Sequence, residues 1–277
     1  MSFDNDQSKA AMWKKEKYFN GPLILPWIIP CLGILLWIIV SKTEVVPGYL
    51  LPRPLEIGKA GYSYIFGEAG GGPYAGRFLA DLGSSTVRVG CGFALAVLLG
   101  LPLGIASGRL PYVHELFSNS INGLRAVPGI SWLPLAMIWF GIGMKTTVFL
   151  VALAAFFPIY LNSAAGATQV NPLLLQAGAM MGVGRVRGTF AILLPAAMPH
   201  IITGLRLGLG ISWAYLVLGE LSGVPNGLGA IIMDARMLGR TDFIVVGIIV
   251  IAVIGRVSDR LLTVLLRSCF KSARRLN

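Results

Sequence analysis

Negative charge is scarce in this chain. Only 12 of its 277 residues are acidic, and all charged residues together make up 13% of it. A soluble domain carries roughly 25%, so a large water-exposed surface is excluded. Histidine occurs twice, at His114 and His200, too few for a metal site by themselves. The three cysteines, Cys31, Cys91 and Cys269, have neither disulfide-framework nor metal spacing. No G-x4-G-K-[ST] phosphate loop is found, so the chain is not expected to bind or hydrolyse ATP or to be an enzyme in its own right. Long internal repeats and low-complexity tracts are also missing.

Apolar residues dominate instead, at 55% of the sequence. They form continuous runs of about 20 residues, the length of a membrane-crossing helix. Alternation of the β-barrel type is not seen. The expected fold is an all-α membrane protein with about six transmembrane helices. The spans are placed at Pro22 to Val40, Leu82 to Ser107, an interrupted Tyr112 to Gly143, Thr146 to Ala165, Ala196 to Leu221, and from Phe243 onward. The first is longer than a signal peptide's apolar region and is read as a retained helix, with a cleaved signal as the alternative. Short helices are expected at Leu55 to Phe66, lying at the interface, and at Leu228 to Leu238.

The expected organisation is an N-terminal segment (residues 1–20), a first helix and outer loop (21–81), a membrane core (82–268) holding a polar segment at 171–195, and a basic tail (269–277). Net charge is +11. Six crossings put both termini on one side, where thirteen lysines and arginines fall against seven on the other. That bias marks a cytoplasmic side, explains the charge without nucleic acid, and places both termini and the 171–195 segment in the cytoplasm.

The 171–195 segment is too ordered for a simple connection. Asn171 and Pro172 suit a helix start, and Leu173 to Met181 suits a compact helix. Gly182 and Gly184 permit a tight turn. Arg185 and Arg187 follow, and a second short helix, Val186 to Leu194, is expected to lead to Pro195. The segment is either a glycine-turned linker or a rigid knob for a cytoplasmic partner.

Its spacing, Gln176-Ala177-Gly178, three residues, Gly182, nine residues, Ile192, one residue, Leu194-Pro195, resembles the EAA loop of ABC importer permeases. Gln176 and Gly178 depart from that pattern's glutamate and second alanine. Further stretches resemble the sulfonate, taurine, nitrate and bicarbonate branch: Leu51-Pro52-Arg53-Pro54; Leu124 to Pro128 through Trp132-Leu133-Pro134-Leu135 to Gly143; and Leu194 to Pro199 through Thr203 to Arg206. The runs Phe156 to Asn162 and Asp234-Ala235-Arg236 resemble alkanesulfonate permeases. The resemblance implies a type I ABC importer permease fold whose coupling helix presents Gln176, Ala177, Gly178, Gly182, Arg185, Ile192, Leu194 and Pro195 to an ATPase. It implies a second, identical permease, two ATPase subunits that carry ATP and Mg, and a periplasmic or lipid-anchored binding protein. The setting would be the bacterial inner membrane. The cargo would be an aliphatic sulfonate or taurine, or else nitrate or bicarbonate, moved inward by alternating access.

Charges at membrane depth are expensive and should face protein or water. Arg88, Arg125 and Arg206 each either pair structurally or line a pore. Arg125 precedes a break holding Pro128, Ser131 and Trp132; irregular backbone at that depth is tolerated where it lines a cavity. Arg125, Pro128, Ser131, Trp132 and Glu220 are the pathway candidates, with a structural or gating role favoured for Glu220. Glycines four apart, Gly100 and Gly104 or Gly204 and Gly208, suit close helix packing, within one chain or between two. A stand-alone secondary transporter would show a mid-membrane coupling carboxylate and an inverted repeat. A membrane enzyme would show a His/Asp/Glu cluster at depth. The sequence shows none of these.

Overall fold

The computed structural model describes residues 25–43, 46–68 and 70–269, and the regular elements among them are all helical. The polar N-terminal segment, the start of the first expected span and the basic tail beyond residue 269 lie outside the described residues. Residues up to Glu56 and those from Ile57 onward form separate compact units.

In the first unit, α1 (Leu25–Lys42) is an 18-residue apolar helix with Lys42 in its last turn. At 1.5 Å per residue it extends about 27 Å, close to the ~30 Å hydrocarbon core of a bilayer.

The second unit holds the remaining helices. They are α2 (Pro54–Phe66, which begins at the division), α3 (Phe78–Arg109), α4 (Pro111–Ala126), α5 (Trp132–Phe140), α6 (Met144–Thr168), α7 (Pro172–Met180), α8 (Arg185–Glu220), α9 (Leu228–Met237) and α10 (Thr241–Cys269). Four of them, α3, α6, α8 and α10, are long and apolar enough to cross a membrane. The bent pair α4 and α5, joined through Val127-Pro128 and one 3-10 turn at Gly129–Ser131, is apolar enough only when taken together, and its 84° bend makes it a broken span or a re-entrant loop. Against the expected six spans, the described residues hold four long apolar helices, one bent pair and the shorter α1.

Helix α6 packs between α3 and α8. Small residues permit this. Along α3, a Cβ added at Gly92, Gly100, Gly104 or Gly108 would press into Val151, Phe156, Tyr160 or Ala164 of α6. Along α8, Gly204, Gly208 and Gly219 meet Asn162, Ile159 and Thr147 in the same way. The four-residue spacing therefore serves contacts within one chain. Ile159, fully buried, sits where both seams meet. Polar links reinforce the packing: the Tyr160 hydroxyl donates to Ser107 Oγ at 2.8 Å, and the Trp213 indole N–H to Ser258 Oγ at 2.8 Å.

Two expectations are corrected here. Pro195 does not close a second short helix. The run from Arg185 to Glu220 is one 36-residue helix, and a π turn at Thr189–Leu193 ends two residues before Pro195. A π turn widens the backbone by one residue, which makes room for the proline ring and absorbs its missing N–H. The division between units also falls at Glu56, earlier than Asp81. Ile57, Ala60 and Tyr64 of α2 are buried, and the Tyr64 hydroxyl donates to Asp81 Oδ2 at 3.0 Å, so the α2 to α3 stretch belongs to the core. Burial, with the Asp81 carboxylate beside it, raises the Tyr64 phenol above its ordinary range, so it remains a donor.

Candidate functional site

Helix α7 and the turn after it form a protruding knob between two spans. Asn171 caps it, its side-chain oxygen accepting from Leu173 N–H at 2.9 Å. The far end is a Schellman motif: Val183 N–H reaches Gly178 O at 2.9 Å and Gly182 N–H reaches Ala179 O at 3.0 Å. Gly182 adopts φ +82°, the left-handed conformation that this motif requires. Gln176 and Ala177 are exposed on α7, as are Leu173, Leu174, Met180 and Met181, the last two at 90% and 77%. Gly178 is buried, and a methyl group there would overlap Ile192 Cδ1. Gly178 and Ile192 thus form the internal contact that ties α7 to α8, while Gln176 and Ala177 face outward. Leu194 is half-buried and Pro195 exposed. Arg185, also exposed, stands with Arg109 at the rim of an apolar groove of about 700 Å³ between the end of α3 and the start of α8. Replacing Asn171 with alanine should loosen α7 by about 1 kcal/mol, the usual worth of such a cap. Faster amide exchange confined to residues 173–176 is the expected signature.

The three arginines expected at membrane depth separate cleanly. Arg206 makes a two-pronged ion pair with Asp259, both bonds 2.9 Å, joining α8 to α10. Arg88 reaches Glu220 at 2.5 Å and the Asn226 carbonyl at 2.6 Å. Arg125 alone of the three has no hydrogen-bond or ion-pair partner among the described residues.

Glu220 belongs to a brace at the end of α8. Fully buried, it also accepts from Ser85 Oγ at 2.8 Å and from Gly229 N–H at 2.7 Å. Leu228 N–H bonds Ser85 Oγ at 2.8 Å, and Gly227 N–H bonds Asp81 Oδ1 at 2.9 Å. Three backbone donors around the α9 N-terminus are therefore satisfied by side chains of α3 and α8, as a buried helix start demands. Glu220 is thus placed in this brace and not in the cleft described next.

The break in the α4–α5 span opens onto a cleft of about 450 Å³. Arg125, Pro128 and Trp132 line it together with Gly129, residues of α6 such as Leu153, Phe157 and Leu161, and Ile211 and Tyr215 of α8. Ser131 is not among its lining residues. Tyr215 lies against the broken backbone so closely that a Cβ at Gly129 would overlap its hydroxyl. Sequence reasoning missed Tyr215, although a phenol inside the long apolar helix α8 was a visible sign. It also missed Asp81 and Ser85, which with Arg88 occupy one face of α3 at helical spacing.

The profile of the family described as binding-protein-dependent transport system inner membrane component matches residues 97–271. The chain belongs to that family. The permease is 33% identical over 258 residues to the putative aliphatic sulfonates transport permease protein SsuC of Bacillus subtilis (strain 168), covering 93% of this chain and 89% of that protein. It is 34% identical to the taurine transport system permease protein TauC of Escherichia coli (strain K12), covering 82% of each. To the nitrate import permease protein NrtB of Synechocystis it is 28% identical over 89% of each. Among solved structures, an inward-facing MetNI methionine ABC transporter matches with a TM-score of 0.55 at 19% identity, covering 67% of this chain and 94% of that one. The fold is therefore that of a type I ABC importer permease.

Proposed function

We propose that the permease is the membrane subunit of an ATP-driven importer that carries an aliphatic sulfonate or taurine from periplasm to cytoplasm by alternating access. Two copies pair, two ATPase subunits bind the α7 knobs, and a periplasmic or lipid-anchored protein delivers the cargo. ATP and Mg stay on the ATPases. The complex sits in the bacterial inner membrane with the permease termini cytoplasmic, on the side with the excess of lysine and arginine. The observation that carries this proposal is the knob itself. An ordered helix between two spans, exposing Leu173, Leu174, Met180 and Met181, is an apolar surface suited to a protein cleft.

The test is co-expression with a candidate ATPase and binding protein, followed by reconstitution into vesicles. ATP-dependent uptake of labelled ethanesulfonate or taurine is expected. Uptake of nitrate or bicarbonate in place of either would move the cargo to the inorganic branch. Uptake without any ATPase would defeat the proposal in favour of a secondary transporter.

A further inference from the structure

The cleft at the α4–α5 break has an uneven lining. Its one charged group is Arg125, which no carboxylate among the described residues neutralises. Close to the same break stands the Tyr215 hydroxyl, a second donor. The remaining wall is built from apolar side chains of α6 and α8, including Leu153, Ala154, Phe157, Leu161 and Ile211. Neither aspartate nor glutamate lines it. Its volume of about 450 Å³ lies within the usual range of organic-ligand sites, roughly 300–1,000 Å³, and is far more than a bare inorganic oxyanion needs.

We infer that this cleft is a selectivity site for amphiphilic anions: Arg125 and Tyr215 take an oxyanion head, while Leu153, Phe157, Leu161 and Ile211 take a short alkyl tail. The permease itself then grades cargo by chain length, in addition to whatever the external binding protein selects. This inference rests on the import function proposed above and assigns that cargo its chemistry.

Charge and size set the ranking. An unpaired guanidinium at membrane depth favours an anion and presents up to five donors to its oxygens. Each methylene laid on the apolar wall leaves water, which strengthens binding by about threefold to fourfold. A tail ending in an ammonium group loses this gain, because the wall offers that cation no carboxylate and strips its hydration. An anion without a tail gains only the head contacts. The order at this site is hexanesulfonate, then butanesulfonate, then ethanesulfonate, with taurine and nitrate last.

Calorimetric titration of the purified permease–ATPase complex with these four anions and zwitterionic taurine tests the order directly. Arg125→Gln should weaken all three sulfonates about tenfold or more, the loss of a charge-assisted hydrogen bond. Tyr215→Phe should weaken them by a smaller factor. Ala154→Leu adds bulk to the tail wall, so it should abolish the gain with chain length while ethanesulfonate still binds. Leu161→Ala, which adds no bulk, should shift the preference toward longer tails. A flat chain-length profile, or an Ala154→Leu effect equal for all five compounds, overturns the inference while ATP-dependent uptake by the same complex leaves the import function standing. Failure of the permease to assemble with any ATPase overturns the import function, and the inference with it.

Discussion

Replacing Glu220 with alanine should destabilise the permease by about 3–5 kcal/mol, the range expected when one member of a buried ion pair is removed. Three losses act together. Arg88, itself buried, is left without its counter-charge. Gly229 N–H loses its acceptor, and Ser85 loses one of its partners. Alanine also leaves space against Gly227 and Gly229, which pack directly on the glutamate side chain. Thermal unfolding of the purified protein in detergent gives the measurement. Glu220→Gln should fall between wild type and Glu220→Ala, because the amide keeps an acceptor for Gly229 N–H but leaves Arg88 uncompensated. The double variant Arg88→Met with Glu220→Leu should recover part of the loss, since an apolar pair of similar volume removes the stranded charge. If Glu220→Ala melts within about 1 kcal/mol of wild type, typical of a surface-like site, the brace does not hold α9.

The brace also shows where sequence reasoning stops. Glu220 was recognisable as a costly carboxylate near the end of a span, and Arg88 as a cation within another. Nothing in the order of residues says that the two meet across 132 positions, or that Ser85 and Asp81 complete the set. Helix periodicity puts Asp81, Ser85 and Arg88 on one stripe of α3, which is local knowledge. The partners come from α8 and from the loop before α9, which is tertiary knowledge. The same limit explains the arginines. All three looked alike as charges within apolar runs, and only packing shows that Arg206 meets Asp259 while Arg125 lines the cleft with no ion-pair partner among the described residues.

More of the fold was legible than of the pathway. Continuous apolar runs of the right length specify helices almost regardless of context, so α3, α6, α8 and α10 were readable. Glycines at four-residue spacing announced close packing, and the structure adds that the seams run within one chain, on both faces of α6. Pro195 misled because a proline in the interior of a helix normally breaks or kinks it. Here a π turn ending two residues earlier accommodates it, and no residue type marks a π turn in advance. The pathway candidates divided for a related reason. Arg125, Pro128 and Trp132 sit at the bend and share its cleft, whereas Ser131, one residue away from Trp132, is not in its lining. A one-residue step along a helix rotates a side chain by about 100°, so neighbours in sequence need not share a cavity.

The coupling knob supports the most discriminating substitution. Replacing Gly182 with valine should abolish ATP-driven uptake while leaving the permease in the membrane. Open space surrounds Gly182, so steric bulk is not the cause. The cause is the backbone. At φ +82° an L-residue carries a left-handed penalty of about 1–2 kcal/mol, and a β-branched side chain is a still poorer fit there. To escape, the turn must abandon the Val183-to-Gly178 and Gly182-to-Ala179 hydrogen bonds that end α7. The contact of Gly178 with Ile192 then loses its register, and the exposed face carrying Gln176 and Ala177 swings relative to α8. A graded series separates conformation from size. Asparagine tolerates the left-handed region and should keep most of the uptake, alanine should lose a substantial part, and valine nearly all. Co-purification of the ATPase should fall in the same order. Equal loss with asparagine and valine would mean that the glycine is needed for close approach of the partner's surface and not for its φ. Full activity with valine would remove α7 from the coupling path altogether.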